Sequence, residues 1–221
     1  MPASVRKAAL VLDLFSVEHP HWGPSEVADE LGIAKSTAHA LLAELTSAGL
    51  TERLPCGRYV LGWRTLGLAR TMLATSRYRD AVAPTARRLA SHFGETVHLT
   101  AWERGSVLYV ASERPPGGVT APDAPVAAQL TPPGTVLLAE RAAAGIDPAE
   151  AERVRRRGYA VGIQRALEGV DCAAAPVRIG DGPATAALTL CAPRGRFQAR
   201  RDEYARALAG AGERVARSVR R

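Results

Sequence analysis

The stretch GIAKSTAHALLAELTSAGL, from Gly32 to Leu50, decides how this chain is read. A glycine-centred turn is followed at once by a helix of about four turns. Lys35, Ser36 and Thr37 fill its first turn, and Ala38, Leu41, Leu42 and Leu45 recur at helical spacing to make an apolar stripe. At 100° per residue, Ser36, His39, Ala40, Ala43 and Ser47 fall on the other side. A small polar tip on an apolar back is the build of the second helix of a helix-turn-helix. Such a helix enters the DNA major groove while its back packs on the domain.

The flanks agree with that reading. Upstream, Val5 to Val17 carries Ala8, Ala9, Leu12, Leu14 and Phe15 at helical spacing, with Ser4 placed to cap the start. Gly23-Pro24 opens a short helix through Leu31, with Pro24 at its first position, and Gly32 ends it. Downstream, Gly49 stops the reading helix, and TERLPCGRYVLG predicts two short strands around a Pro-Cys-Gly turn. Helix, helix, turn, helix, hairpin is the winged form of the motif. Trp63 to about Thr75 predicts a connecting helix, whose stripe of Leu66, Leu68, Ala69, Met72 and Leu73 suits a partner chain or, alternatively, its own domain.

From Gly94 the periodicity changes. A helix from Tyr78 to Phe93, with Ala81, Ala86, Leu89, Ala90 and Phe93 on one side, gives way to GETVHLTAWERGSVLYVAS. Its period-two alternation about Arg104-Gly105 predicts a hairpin. Turns are expected at Pro115–Gly118, Pro132–Gly134 and Gly180–Gly182, and helices near Val136–Ala144 and Pro148–Arg157. Strands are expected at Tyr159–Ile163, Cys172–Ile179 and Ala184–Cys191, with one closing helix from Gln198 to about Val219. Mixed strands with flanking helices indicate an α+β second domain.

Composition narrows the function classes. The 221 residues carry a net charge of +7, but residues 1–72 hold seven basic and seven acidic groups, so the excess lies outside the reading head. Three cysteines (Cys56, Cys172, Cys191) make neither a disulfide framework nor a zinc quartet, and Cys172 and Cys191 read as small apolar strand residues. If their strands are neighbours the two thiols could approach, which leaves a redox-sensing role open. No leader or long apolar run stands out, so a soluble, reducing, cytoplasmic and nucleoid-associated setting is expected, with no membrane partner. The five histidines, His19, His21, His39, His92 and His98, show no metal-ligand spacing. His98 alternates with Val97 and Leu99 and reads as a structural strand residue. Nucleophile elbows, phosphate loops and dinucleotide fingerprints are missing from the sequence, so no catalytic residue, cofactor or metal is assigned.

Taken together, KAALVLDLF, SEVADELGIAKSTAHALLAELTSAGL, RYVLG, GETVHL, RRRGYAV and GVDCAAAPV occur in one order along the chain. In that order the chain resembles the IclR-type bacterial transcriptional regulators. The resemblance implies a winged helix-turn-helix over residues 1–62, a dimerising linker helix over 63–77 and a shortened GAF-like domain over 78–221 that senses a small molecule and oligomerises. It implies a repressor acting on double-stranded DNA as a homodimer or tetramer. Four departures stand out: Ala40 after His39, where the family usually has a long polar residue; Gly134-Thr135 in place of Gly-Lys; Gln164-Arg165 where an acidic pair is usual; and a segment between Leu137–Ala139 and RRRGYAV that is shorter than the family norm, which shortens the second domain.

The DNA-contacting set read from these residues is Ser25, Lys35, Ser36, Thr37, His39, Ala40, Ala43, Arg53 and Arg58. Base readout falls to Ser36 and His39, with thymine-methyl contacts from Ala40 and Ala43. Phosphates fall to the helix N-terminus, Lys35, Thr37 and the wing residues Arg53 and Arg58. A ligand pocket is implied by the resemblance alone; by position its candidates are Gln129, Thr131, Gly134, Thr135, Val170 and Cys172, with the Gly-Thr helix start offering N–H groups to a carboxylate. The alternatives are a ligand-independent regulator with a vestigial pocket, a domain serving assembly alone, and a GAF-like small-molecule-binding protein that does not bind DNA.

Overall fold

The computed structural model describes residues 3–75, 77–142, 144–178 and 182–219. The chain divides into two compact units, Met1–Thr75 and Ser76–Arg221.

In the first unit, α1 (Ala3–Asp13), α2 (Pro24–Leu31) and α3 (Lys35–Ser47) are followed by the two-stranded wing, β1 (Thr51–Arg53) and β2 (Tyr59–Leu61), and by α4 (Trp63–Thr75). Val11, Val27, Ala38 and Leu42 are fully buried and Leu45 nearly so, which fixes α1, α2 and α3 on one apolar centre. Gly32, at φ +60°, takes the left-handed conformation that lets α2 stop and the chain turn into α3. Trp22 pairs with Tyr59 through two backbone hydrogen bonds of 3.0 and 2.8 Å, an isolated bridge on the far side of β2 from β1. Helix α1 differs from expectation at its ends. It begins at Ala3, so Ser4 is a helical residue rather than a cap, and it stops at Asp13 instead of running to Val17.

The second unit holds α5 (Arg77–Phe93), β3 (Thr96–Glu103), β4 (Ser106–Glu113), β5 (Val126–Ala127), a 3₁₀ turn (Ala128–Leu130), α6 (Pro132–Arg141), α7 (Pro148–Arg157), β6 (Ala160–Ile163), β7 (Val170–Val177), β8 (Ala186–Pro193), α8 (Arg194–Ala199) and α9 (Arg201–Val219). Its antiparallel sheet has the order β5-β4-β3-β8-β7-β6. Alternation sends Val97, Leu99, Ala173, Ala175, Leu188 and Leu190 to a face packed on α5, α8 and α9, where Phe93, Phe197, Tyr204 and Leu208 complete the core. The other face meets α6 and α7 through Val136, Ala139, Ala160 and Ala174, and through Leu137, Ala187 and Val107.

Three expectations are corrected here. Pro132–Gly134 is the first turn of α6 rather than a loop, because Thr131 caps it: its Oγ1 accepts the Gly134 N–H at 3.0 Å. The closing helix breaks at Arg200, which leaves helical geometry and separates α8 from α9. Strand β7 begins at Val170 and ends at Val177; Ile179, Gly180 and Asp181, within the expected strand and turn, lie outside the described residues, as does Ala143 of the expected helix.

Candidate nucleic-acid interface and ligand face

The α3 residues expected at DNA lie on the exposed side of that helix. Ser36, His39, Ala40, Ala43 and Ser47 are all exposed on α3, opposite the buried Ala38, Leu42 and Leu45. The cap position, Ala34, has no side chain to offer, and the Thr37 and Ala38 N–H groups bond back to its carbonyl. The Lys35 and Ser36 N–H groups are left at the helix start with no partner among the described residues. An exposed helix N-terminus with donors to spare and a lysine beside it is an anion site. At the other end, Arg64 Nη1 donates to the Ala48 carbonyl at 2.7 Å, placing a cation at the negative end of the helix. Thr46 Oγ1 bonds the Leu42 carbonyl and Thr51 Oγ1, at 2.7 and 2.9 Å, which ties α3 to the wing.

Arg58 makes contacts within the first unit that the sequence did not announce. Its guanidinium holds Glu26 at 2.8–2.9 Å and the His21 carbonyl at 2.7 Å. Glu26 in turn accepts the Gly23 N–H at 2.6 Å, capping α2. The Gly23 hydrogen bond, and then Arg58, lower the Glu26 pKa. Arg58 therefore braces the wing against α2, while Arg53 on β1 and Ser25 on α2 are exposed. Sequence reasoning missed Glu26, although its place three residues after Gly23 is the signal of a helix cap.

In the second unit the expected effector residues separate. Gln129, Thr131 and Thr135 line one cavity of about 340 Å³, together with Pro132, Gly162 and Ile163. Gly134 does not line it. A Cβ there would lie 1.9 Å from the Ala128 carbonyl oxygen, so glycine serves close backbone packing. The expected N–H cradle is also absent: Pro132 and Pro133 carry no N–H, the Gly134 N–H is taken by Thr131 Oγ1, and the Thr135 N–H bonds the Thr131 carbonyl. This helix start cannot grip a carboxylate.

Val170 and Cys172 do not line that cavity but lie on the same sheet face, opposite the main core, that α6 and α7 cover. There β3, β8 and β7 bring two rows together: Thr96, Cys191, Cys172 in one, and His98, Thr189, Ala174 in the next. Thr96 Oγ1, His98 Nε2 and Thr189 Oγ1 are buried with no hydrogen-bond partner among the described residues. His98 Nδ1 pairs with Ser112 Oγ at 2.7 Å, and its ring meets Tyr109 edge-on with centroids 5.1 Å apart. Burial, reinforced by Arg114, lowers its pKa to about 4, so the imidazole is neutral at pH 7. Burial also raises the Tyr109 pKa to about 12, and Gln164, fully buried, donates to the Tyr109 hydroxyl. Orphaned buried polar atoms are rare, and these three lie on the adjacent strands β3 and β8. The signal in the sequence was faint: His98, Thr96 and Thr189 alternate with apolar residues, but only the register shows that they share a face.

Cys172 and Cys191, expected as thiols, are joined in a disulfide, with Cα atoms 4.4 Å apart as directly opposed strand residues. Cys56 at the wing turn is free and exposed. Among the described residues no helix is long and apolar enough to cross a membrane, and no group of three or more His, Cys, Asp or Glu could hold a metal ion.

A winged helix-turn-helix followed along the chain by an α+β sheet domain is the build of a DNA-binding transcriptional regulator. Comparison with known proteins agrees. The IclR helix-turn-helix domain profile matches residues 4–55, and that of the bacterial transcriptional regulator IclR C-terminal domain matches residues 148–217. The glycerol operon regulatory protein of Streptomyces coelicolor is 31% identical over 198 residues, covering 79% of this chain and 78% of the relative. An IclR-type transcriptional regulator of Silicibacter sp. TM1040 shares the fold at a TM-score of 0.84 and 25% identity, covering 98% of this chain and 96% of its own. An IclR homolog from Microbacterium hydrocarbonoxydans, complexed with 4-hydroxybenzoate, superposes with a TM-score of 0.75 at 21% identity, covering 99% of each chain. The chain belongs to the IclR family of bacterial transcriptional regulators, and its relatives are regulators rather than enzymes.

Proposed function

We propose that this regulator is a cytoplasmic repressor that reads its operator as a homo-oligomer and is released by a small uncharged metabolite. The reading surface is α3, with Ser36, His39, Ala40 and Ala43 toward the bases and Lys35, Thr37, Arg53 and the free N–H groups toward phosphates. Ser25 on α2 adds a contact to the backbone. The observation that carries this reading is the division of α3 into an exposed short-chain face with an uncapped start and a fully buried apolar back. None of the exposed face residues makes the bidentate base contacts of Arg, Asn or Gln, so each head is weak and repeated half-sites supply the affinity. Exposed Trp63, Leu66, Leu68 and Met72 on α4 support a linker helix, over residues 63–77, that joins two chains. Retention of the DNA upstream of the protein's own gene, at physiological salt and with competitor DNA, tests the assignment. Cooperative retention with a footprint of repeated half-sites is expected; retention no better than that of random DNA would refute it.

The effector is assigned to the face of Thr96, His98 and Thr189, near Val170 and Cys172, rather than to the start of α6. Its polar groups are neutral, and the described buried polar residues include no Lys or Arg, so a hydroxylated, uncharged compound suits it better than a carboxylate. The relative named for the glycerol operon makes polyols the first compounds to test. A rise in melting temperature with neutral polyols and none with simple carboxylates is expected. The occupied helix start of α6 favours one other reading, a regulator that needs no ligand, and a flat response to both classes would establish it.

A further inference from the structure

We infer that Cys172 and Cys191 form a reversible thiol–disulfide couple that sets the state of the ligand face. The inference rests on the assignment of this face as the effector site and of the protein to the cytoplasm. In that compartment glutathione-type thiols keep cysteines reduced, and a disulfide formed there is typically transient and redox-sensing rather than a standing staple. The pair is placed to act on the ligand face. Cys191 lies directly beside Thr96 on β3, and Thr189, two residues earlier on the same face of β8, lies beside His98. The bond therefore runs along the row that contains one unpartnered hydroxyl and borders the row that contains the other two unpartnered atoms.

Closing or opening the bond changes the hydrogen-bonding capacity of that wall. In the disulfide neither sulfur carries a proton. In the reduced pair each sulfur carries an S–H, a weak donor, next to hydroxyls that lack partners. Reduction takes two electrons and two protons. A thiolate of a small thiol such as glutathione attacks one sulfur and expels the other, forming a mixed disulfide. A second glutathione then releases the first cysteine, so that two glutathiones become one glutathione disulfide and the protein gains two thiols. Glutathione disulfide reverses the sequence with the same balance. Both sulfurs are fully buried beneath Val119 and Leu167, which are themselves only partly covered, so access requires those two loop residues to move aside. A ligand that distinguishes the two states shifts the balance of the couple by the same factor by which the couple shifts its affinity.

The test equilibrates full-length protein in glutathione buffers of varied ratio, quenches with a thiol-alkylating reagent and counts thiols by mass. Histidine ¹⁵N shifts and retention of the upstream DNA are followed on the same samples. One thiol per chain, Cys56, is expected on the oxidised side and three on the reduced side, with the protein folded throughout. The His98 ring resonances should move on reduction while those of His39 on α3 stay still, and DNA affinity should change at least about fivefold. The Cys172→Ser/Cys191→Ser variant should show neither change. A pair that stays bonded until the protein unfolds overturns the inference, as does a pair that reduces with His98 and DNA affinity unmoved. If neither state retains the upstream DNA, the regulator assignment fails, and the thiol count and the His98 shift still decide the redox couple.

Discussion

Two surfaces carry the activity assigned to this chain, the exposed face of α3 and the buried sheet face of β3, β8 and β7, and they are built on opposite rules. On α3 the functional groups come from one run of thirteen residues, and their presentation depends on what the opposite side of the same helix buries. On the sheet face Thr96, His98, Cys172 and Thr189 come from three separate strands and meet only through the pairing of β3 with β8 and of β8 with β7. A helical site is specified locally and tolerates change in its exposed residues. A sheet site is specified by register, so any change that disturbs packing reaches every member at once.

Substitutions should separate the two surfaces. The largest effect is expected from Gly134→Val. With no room for even a Cβ against Ala128, α6 must shift off the sheet, at a cost above about 3 kcal/mol. Calorimetry should show the transition of the second unit lost or strongly lowered while that of the first is unchanged; a single, unshifted pair of transitions would contradict the packing described. Acid gives a comparable effect through His98. Its folded pKa of about 4 lies below the ordinary 6.5, so as pH falls the unfolded chain takes up the proton first. The stability of the second unit should therefore fall between about pH 6.5 and pH 4, by about 3 kcal/mol in all, and level off below. In His98→Gln that part of the pH dependence should vanish.

Smaller effects are expected on the first unit. Glu26→Ala removes the α2 cap and the partner of Arg58 and should lower its stability by about 1 kcal/mol, read as a shift in urea midpoint. Lys35→Ala should leave stability unchanged and weaken all DNA sequences alike, reducing the slope of log affinity against log salt by about one. A sequence-dependent loss would instead make Lys35 a base reader.

The contrast also explains what could be read from the chain alone. The helix-turn-helix was legible because a 3.6-residue stripe, a Gly turn and a Pro at the first helical position are local signals that agree with one another. The antiparallel hairpin about Arg104-Gly105 was legible for the same reason, its period of two and its turn lying in one stretch. The proposed effector face was not. Gly134-Thr135 drew attention as a helix start, but whether a helix N-terminus is free depends on whether Thr131 caps it and on two prolines that read equally well as a turn. Cys172 and Cys191 could be named as candidate neighbours, yet their direct opposition follows from a strand register that no residue announces. The bonds of Arg58 to Glu26 and the His21 carbonyl were not legible because those partners lie more than thirty residues away.

The most direct measurement is a quantitative footprint titration of the upstream DNA with the wild type and with Ser36→Ala/His39→Ala. The account predicts protection of repeated half-sites by the wild type and at least about a tenfold loss of that protection in the variant, with circular dichroism and melting unchanged. Equal protection by a folded variant would show that α3 does not read the operator and would contradict the account at its centre.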